Sequence, residues 1–198
     1  NMRNYFLNNG VDEIIEQKDY KDPDFVSSWG VSDEILFNKA NEYFAKLSKE
    51  DQPFCSLIFT SSFHDPFDIP QGKVSLDGLK TDAPARLTAA KYADYALGKF
   101  FEAAKKEEYY NNTVFLVIAD HDSRVLGKDA FPLTNFSIPA LIISPDLAPR
   151  KDQRIVSQID MLPTLLSVTG VSGEFPLTGQ DLTQSDINQR ALIGYYQM

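Results

Sequence analysis

Three short apolar runs constrain the fold of this chain more than any other feature of its sequence. They cover residues 54–60, 113–119 and 137–144, and their length and their aromatic or β-branched content favour strands over helices. Segments with apolar residues at helical spacing lie among them, and a further strand is predicted at 191–196. Continuous apolar strands combined with amphipathic helices predict an α/β fold, a layered sheet with flanking helices, rather than a β-sandwich.

Two long helices and one short helix are predicted from periodicity and capping residues. The apolar stripe of the first is Leu36, Ala40, Tyr43, Phe44 and Leu47, and that of the second is Ala89, Tyr92, Ala93, Ala96, Leu97, Phe100 and Ala104. Ser32 and Asp82 are the expected caps of these two helices. Asp160 is the expected cap of the short helix at 161–169, which Gly170 closes.

Composition excludes several classes of protein. The 198 residues allow one domain over 1–198, and the net charge of −9 argues against a nucleic-acid partner. The chain has no apolar run of membrane-spanning length and its amino terminus does not resemble a signal peptide, so it is expected to be soluble as it stands. Cys55 is the only cysteine and is expected to be a buried small hydrophobe.

Asp120 and His121 directly follow the run 113–119, so a carboxylate and an imidazole stand together at the end of a predicted strand. Both are good ligands for a divalent ion, and open α/β sheets place their ligands at the carboxyl ends of strands. Adjacent residues of a strand point to opposite faces, so both can reach one ion only if the chain turns at Asp120. The alternative is an ordinary polar strand end.

Other catalytic classes fit the sequence less well. The chain has only two histidines, His64 and His121, which excludes an HD-type phosphohydrolase and a three-histidine zinc site. A Ser-His-Asp hydrolase built on Ser61 or Ser62 is conceivable, but no Gly-x-Ser-x-Gly motif is present. A binding domain without catalytic activity remains an alternative.

A set of motifs runs in order along nearly the whole chain. It comprises residues 1–3 with 9–10, 29–33, 63–67, 92–98, 119–121, 138–139, 157–166 and 179–182. In combination they resemble the sulfatase-like branch of the alkaline phosphatase superfamily, and within it the group of lipoteichoic acid synthases and phosphoglycerol transferases. The resemblance implies an alkaline-phosphatase-like layered sheet, of which this chain is the second, C-terminal half.

The resemblance also implies a function. The intact protein is expected to be a phosphoryl or phosphoglycerol transferase or a phosphoester hydrolase, with a sulfate-ester hydrolase as the alternative. It would use a divalent metal, Mn or Mg first and Zn or Ca next, on a phosphate or sulfate ester such as a phospholipid head group. The parent protein is expected at the extracytoplasmic face of a membrane.

The family's nucleophile lies in the earlier half of the catalytic domain. The chain alone is therefore expected to be inactive, and a half-domain with exposed sheet edges is expected to self-associate. Cys55 is not a sulfatase nucleophile, because residues 56–59 do not continue the Cys-x-Pro-x-Arg pattern.

Three of the family's site residues transfer directly to this sequence. The resemblance assigns Asp120 and His121 as metal ligands and places His64 beside the substrate phosphate. His64 would either orient a phosphate oxygen or protonate a leaving alkoxide. A solvated or structural loop histidine is the alternative for His64.

Two further residues are candidates for substrate binding. Trp29 resembles a residue that lines the glycerol-phosphate pocket, although residues 30–32 stand where an arginine is expected; the alternative is a packed aromatic anchor. Arg124 carries a guanidinium that matches two phosphate oxygens, or it pairs with Asp122.

Overall fold

The computed structural model describes residues 2–122 and 136–192, which fall into two compact units, Asn1–Tyr110 and Asn111–Met198. Each unit is described by itself. The single domain over 1–198 stays a prediction. None of the helices within the described ranges is long and apolar enough to cross a lipid bilayer.

The first unit is mainly helical. Its elements are α1 (Met2–Asn8), a 3-10 helix (Gln17–Asp19), β1 (Val26–Ser27), β2 (Gly30–Val31), α2 (Asp33–Leu47) and α3 (Pro84–Ala104), followed by a 3-10 helix at Glu108–Asn112. β1 and β2 form a short antiparallel hairpin, with Val26 opposite Val31. Ser32 stands at the predicted cap position of α2, but its hydroxyl makes no capping hydrogen bond, and α3 is preceded by Ala83 rather than capped by Asp82.

The core of this unit lies between α2 and α3. The Phe37 and Phe100 rings are 5.1 Å apart, and Phe44 meets Tyr109 edge to face at 5.7 Å. Aromatic pairs of this kind contribute about 0.5–1.5 kcal/mol beyond the area they bury. The buried residues of α3 are Ala89, Tyr92, Ala96, Phe100 and Ala104, which confirms the predicted stripe.

The strand predicted at 54–60 is wrong, because the structure assigns no strand there. Phe54 packs on Phe44 with ring centroids 5.5 Å apart, but Leu57 and Phe59 are exposed. Cys55 is also exposed, contrary to the expectation of burial. A strand is defined by hydrogen bonds to a neighbour, and no strand within the described residues pairs with this run.

The second unit contains the strands predicted at 113–119 and 137–144. β3 (Phe115–Ile118) pairs antiparallel with β4 (Ala140–Ile143), with Phe115 opposite Ile143. The Ala119 N–H donates to the Pro139 carbonyl at 3.4 Å, which extends the pairing one step beyond β3. A 3-10 helix (Gln158–Asp160) and α4 (Met161–Val168) follow. The strand predicted at 191–196 lies mostly outside the described residues, and 191–192 are not in a strand.

A fully buried carboxylate organises the segment before α4. Asp160 accepts hydrogen bonds from the Ser157 N–H and the Gln180 N–H, both at 2.8 Å, and from Arg190 Nη2 at 3.2 Å. We call these four residues the Asp160 cluster. Asp160 precedes α4 as predicted, but its carboxylate does not cap that helix. It joins the start of α4 to two later segments of the chain.

Two glycines in this unit are required by geometry. Gly170 follows α4 with a φ of 72°, the left-handed conformation predicted for a helix terminus. A Cβ at Gly179 would lie 2.0 Å from the carbonyl oxygen of Ile159. Only glycine permits this close approach, which brings the neighbouring Gln180 N–H to Asp160.

Candidate functional site

The chain turns sharply where β3 ends, and this turn brings the Asp120 and His121 side chains together. The His121 N–H donates to Asp120 Oδ1 at 2.9 Å, and His121 Nε2 lies 3.4 Å from Asp120 Oδ2. The two side chains are 62% (Asp120) and 72% (His121) exposed. We call this feature the Asp120–His121 corner. It supplies the turn that the sequence required for both side chains to meet one ion.

The hydrogen bonding of His121 defines which ring nitrogen is available. Nδ1 lies 2.6 Å from the carbonyl oxygen of Asp122. A carbonyl oxygen only accepts, so Nδ1 carries the proton and the neutral ring keeps its lone pair on Nε2. Metal-binding histidines are commonly oriented in this way, with one nitrogen donating to a carbonyl and the other facing the ion.

The spacing of the two donor atoms fits a shared divalent ion. Ligand atoms about 2.1 Å from one ion are about 3.4 Å apart when the angle between them is about 108°, close to tetrahedral. Within residues 2–122 and 136–192, no group of three or more His, Cys, Asp or Glu side chains is arranged to hold an ion. Asp120 and His121 therefore fit part of a coordination sphere.

Gln158 contacts the corner from the Asp160 cluster side of the unit. Its Nε2 lies 3.0 Å from the Ala119 carbonyl and 3.0 Å from the Asp120 carbonyl. The sequence alone does not indicate a role for this residue, although it belongs to the motif at 157–166. A hydrogen bond between residues almost forty positions apart leaves no local pattern in the sequence.

The His64 loop, residues 61–67, is anchored by a buried carboxylate at the start of α2. Asp33 Oδ1 accepts the N–H groups of Ser61 and Ser62, both at 3.0 Å, and the Asp33 N–H donates to Ser62 Oγ at 2.9 Å. Asp33 is 1% exposed and Ser62 is 2% exposed. The sequence alone does not indicate this reciprocal exchange either, because it joins residues nearly thirty positions apart.

Trp29 and His64 form a stacked pair. Their ring centroids are 3.8 Å apart, with an angle of 39° between the planes. The Asp65 carbonyl accepts from Trp29 Nε1 at 2.7 Å and from His64 Nδ1 at 3.0 Å. The second nitrogen of His64, Nε2, has no hydrogen-bond partner within the part of the chain that the structure describes. Nε2 is therefore available to a ligand.

The structure thus brings Trp29 together with His64 in the first unit and Asp120 together with His121 in the second. The remaining predicted site residue, Arg124, lies outside the described residues. The roles of all five residues in binding or catalysis stay predictions. Trp29 is 56% exposed, and its indole N–H is already bonded, so its free surface is the apolar ring.

Comparisons of sequence and of structure with known proteins agree on the family of this chain. The sequence model of the Sulfatase family matches residues 1–171. A crystallised protein in the alkaline phosphatase superfamily from Vibrio parahaemolyticus is 52% identical, with a TM-score of 0.92 over 98% of this chain and 48% of that chain. The lipoteichoic acid synthase LtaP from Listeria monocytogenes is 25% identical, with a TM-score of 0.78 over 90% of this chain and 49% of that chain.

A curated relative extends the same pattern. The lipoteichoic acid synthase-like protein YvgJ of Bacillus subtilis is 27% identical over 206 residues, which is 93% of this chain and 33% of that protein. The chain thus spans about a third of this relative and about half of the two crystallised chains.

Proposed function

The chain belongs to the sulfatase family and has an alkaline-phosphatase-like fold, and from this premise we propose that the protein is a phosphoryl or phosphoglycerol transferase or a phosphoester hydrolase. Members of the superfamily generally use a divalent metal and act on sulfate or phosphate esters. Transfer and hydrolysis differ only in whether an alcohol or water accepts the group. The activity is proposed for the whole protein.

The observation that carries this proposal is the pair of donor atoms at the Asp120–His121 corner. Asp120 Oδ2 and His121 Nε2 are 3.4 Å apart, and the His121 ring is held in the tautomer that presents Nε2. The proposed ion is Mn²⁺ or Mg²⁺, which carboxylate oxygens suit. The next choices are Zn²⁺, which imidazole suits and whose tetrahedral angle matches the 3.4 Å spacing, and Ca²⁺. A bound divalent ion would stabilise charge on the phosphoryl oxygens by several kcal/mol.

His64 is proposed to act on the substrate. The Asp65 carbonyl fixes its Nδ1 proton and the Trp29 ring fixes its plane, so Nε2 points from a restrained imidazole. Nε2 would orient a phosphate oxygen or, once protonated, donate a proton to a leaving alkoxide. Phosphoryl transfer depends mainly on positioning and charge neutralisation, which restrained side chains provide.

Trp29 and Arg124 are proposed to bind substrate. The exposed ring of Trp29 offers an apolar wall beside His64 for the glycerol or other carbon part of an ester. Arg124 would pair with two phosphate oxygens. Similarity to proteins named lipoteichoic acid synthases supports a phospholipid head group as substrate and an extracytoplasmic location for the parent protein.

The test is an assay of the full-length protein on phosphatidylglycerol, an aryl phosphate and an aryl sulfate, with Mn²⁺ added after chelation. Asp120→Ala and His121→Ala are each expected to lower kcat/KM by about 100-fold or more, since each removes a metal ligand. His64→Ala is expected to lower kcat by about 100- to 10,000-fold, the range for general acid–base catalysis.

The matched control is Asp186→Ala, which removes an exposed carboxylate without a hydrogen-bond partner in the described chain. It should leave the rate unchanged. Full activity in Asp120→Ala would rule out the metal role. Turnover of the sulfate ester alone would replace the proposal by a sulfatase, and metal binding without turnover of any ester would leave a binding protein.

A further inference from the structure

We infer that Gln158 is a positioning residue for the Asp120–His121 corner, an inference that rests on the proposed function. The Gln158 amide has two N–H hydrogens, and its nitrogen lies 3.0 Å from each of the Ala119 and Asp120 carbonyl oxygens. Both hydrogens can therefore be used at once. Gln158 would not touch the ion or the substrate; it would act through the backbone that carries the ligands.

These two hydrogen bonds restrain both peptide groups that flank the Asp120 Cα. Because each peptide group is planar, fixing the two carbonyls fixes the two backbone dihedrals of Asp120. The direction of the Asp120 Cα–Cβ bond follows from these dihedrals. The second peptide group also contains the His121 N–H, which donates to Asp120 Oδ1, so the approach to His121 is restrained with it.

Gln158 is itself attached to a rigid support. It begins the 3-10 helix that ends at Asp160. The Asp160 carboxylate is fully buried and accepts a hydrogen bond from the Ser157 N–H, at the start of that helix. The Thr164 hydroxyl donates to the Asp160 carbonyl at 2.6 Å, which ties the helix to α4. The Gln158 side chain therefore connects the Asp120–His121 corner to the hydrogen-bonded Asp160 cluster.

Nothing else in the described chain performs this task. Within residues 2–122 and 136–192, no other side chain donates to the Ala119 or Asp120 carbonyl, and the strand pairing reaches only the Ala119 N–H. The Asp120 and His121 side chains are mostly exposed, so packing does not orient them. Without Gln158, the backbone at Asp120 would have to be ordered when the ion binds, which lowers affinity.

The experiment compares Gln158→Met and Gln158→Asn with the unsubstituted full-length protein. Methionine keeps the length but cannot donate, and asparagine keeps the amide but is too short to reach. Calorimetry with Mn²⁺ should show affinity weakened by about fivefold to tenfold in each variant, roughly one hydrogen bond's worth. Exchange of the His121 amide hydrogen should become faster, while the metal-free melting temperature changes little, because Gln158 is exposed.

The matched control is Gln153→Met, an exposed glutamine with no hydrogen-bond partner in the described chain, and it should leave the Mn²⁺ affinity unchanged. Asp120→Ala separates two kinds of failure. If it abolishes Mn²⁺ binding but the Gln158 variants bind normally, the positioning role is overturned and the metal site stands. If Mn²⁺ binding survives Asp120→Ala, the proposed function itself falls. A large fall in metal-free melting temperature in both Gln158 variants would assign the residue to stability instead.

Discussion

The His64 loop is bonded through its backbone directly to a buried carboxylate, Asp33, whereas the Asp120–His121 corner is bonded to an exposed side chain, Gln158. Gln158 in turn belongs to the 3-10 helix that contains the buried carboxylate of Asp160. Both regions therefore rest on a buried acid, one directly and one through an intermediate. Loss of the Asp33 carboxylate is therefore expected to disorder the His64 loop and to destabilise the first unit together. Loss of the Gln158 amide is expected to change the geometry of the Asp120–His121 corner without unfolding the second unit.

The acidic residues of the two regions also differ in their roles. Asp33 and Asp160 are buried, and backbone N–H groups donate to Oδ1 of Asp33 and to both carboxylate oxygens of Asp160, so these acids are structural. Asp120 is exposed, and no backbone N–H group of the described chain donates to its Oδ2, which lies 3.4 Å from His121 Nε2, so this oxygen is available to a ligand. The type of residue does not distinguish them, but burial and hydrogen bonding do.

The largest effect is expected from Asp160→Ala. It would leave the Arg190 guanidinium without its carboxylate partner and the Ser157 and Gln180 N–H groups without their acceptor. Removing one member of a buried pair costs about 3–5 kcal/mol. Urea denaturation should show this loss of unfolding free energy, and Asp160→Asn, which keeps one acceptor oxygen, should lose less. Wild-type stability in Asp160→Ala would show that the second unit does not depend on this buried acid.

Asp33→Ala should follow in size. It would leave the N–H groups of Ser61 and Ser62 without an acceptor, at a cost of about 1–3 kcal/mol for an unsatisfied buried group. Because the same bonds hold the His64 loop, the loss of stability should be accompanied by loss of activity. Melting temperature and kcat measured together would check this. Asp82→Ala, which truncates an exposed acid of the same unit, serves as the control.

The smallest effect is expected at the stacked pair. Trp29 is the only tryptophan of the 198 residues, so its fluorescence reports on the ring 3.8 Å away. The imidazole of His64 covers one face of the indole, so His64→Ala should expose that face to water and shift the Trp29 emission maximum to longer wavelength. Fluorescence spectra of the 198-residue chain with and without the substitution, recorded at one pH, measure this shift. An unchanged emission maximum in His64→Ala would show that the two rings are not stacked in solution.

The long helices could be predicted from the sequence because their signal is periodic. The stripe on α3 that runs from Ala89 through Tyr92 and Phe100 to Ala104 is buried as its spacing predicts. The strand before Asp120 and the glycine after α4 were also correctly placed. Each of these features depends on residues that follow one another closely along the chain, so neighbouring residues contain the information.

The failures involve contacts with distant residues. The run 54–60 has the composition of a strand, but a strand also needs a partner, and composition does not supply one. Cys55 was expected to be buried for the same reason and is exposed. Asp33 and Gln158 were passed over because their partners are far away in the chain.

The sequence by itself determined the family, the positions of the main helices and the identity of the acid–imidazole pair after β3, because motifs and periodicity are local properties of the chain. The tertiary structure alone decided that Asp120 Oδ2 and His121 Nε2 face each other across 3.4 Å, that Trp29 lies against His64 and that Gln158 reaches the corner. The physical reason is that a hydrogen bond or a ring contact depends on distance in space, which the order of residues does not specify.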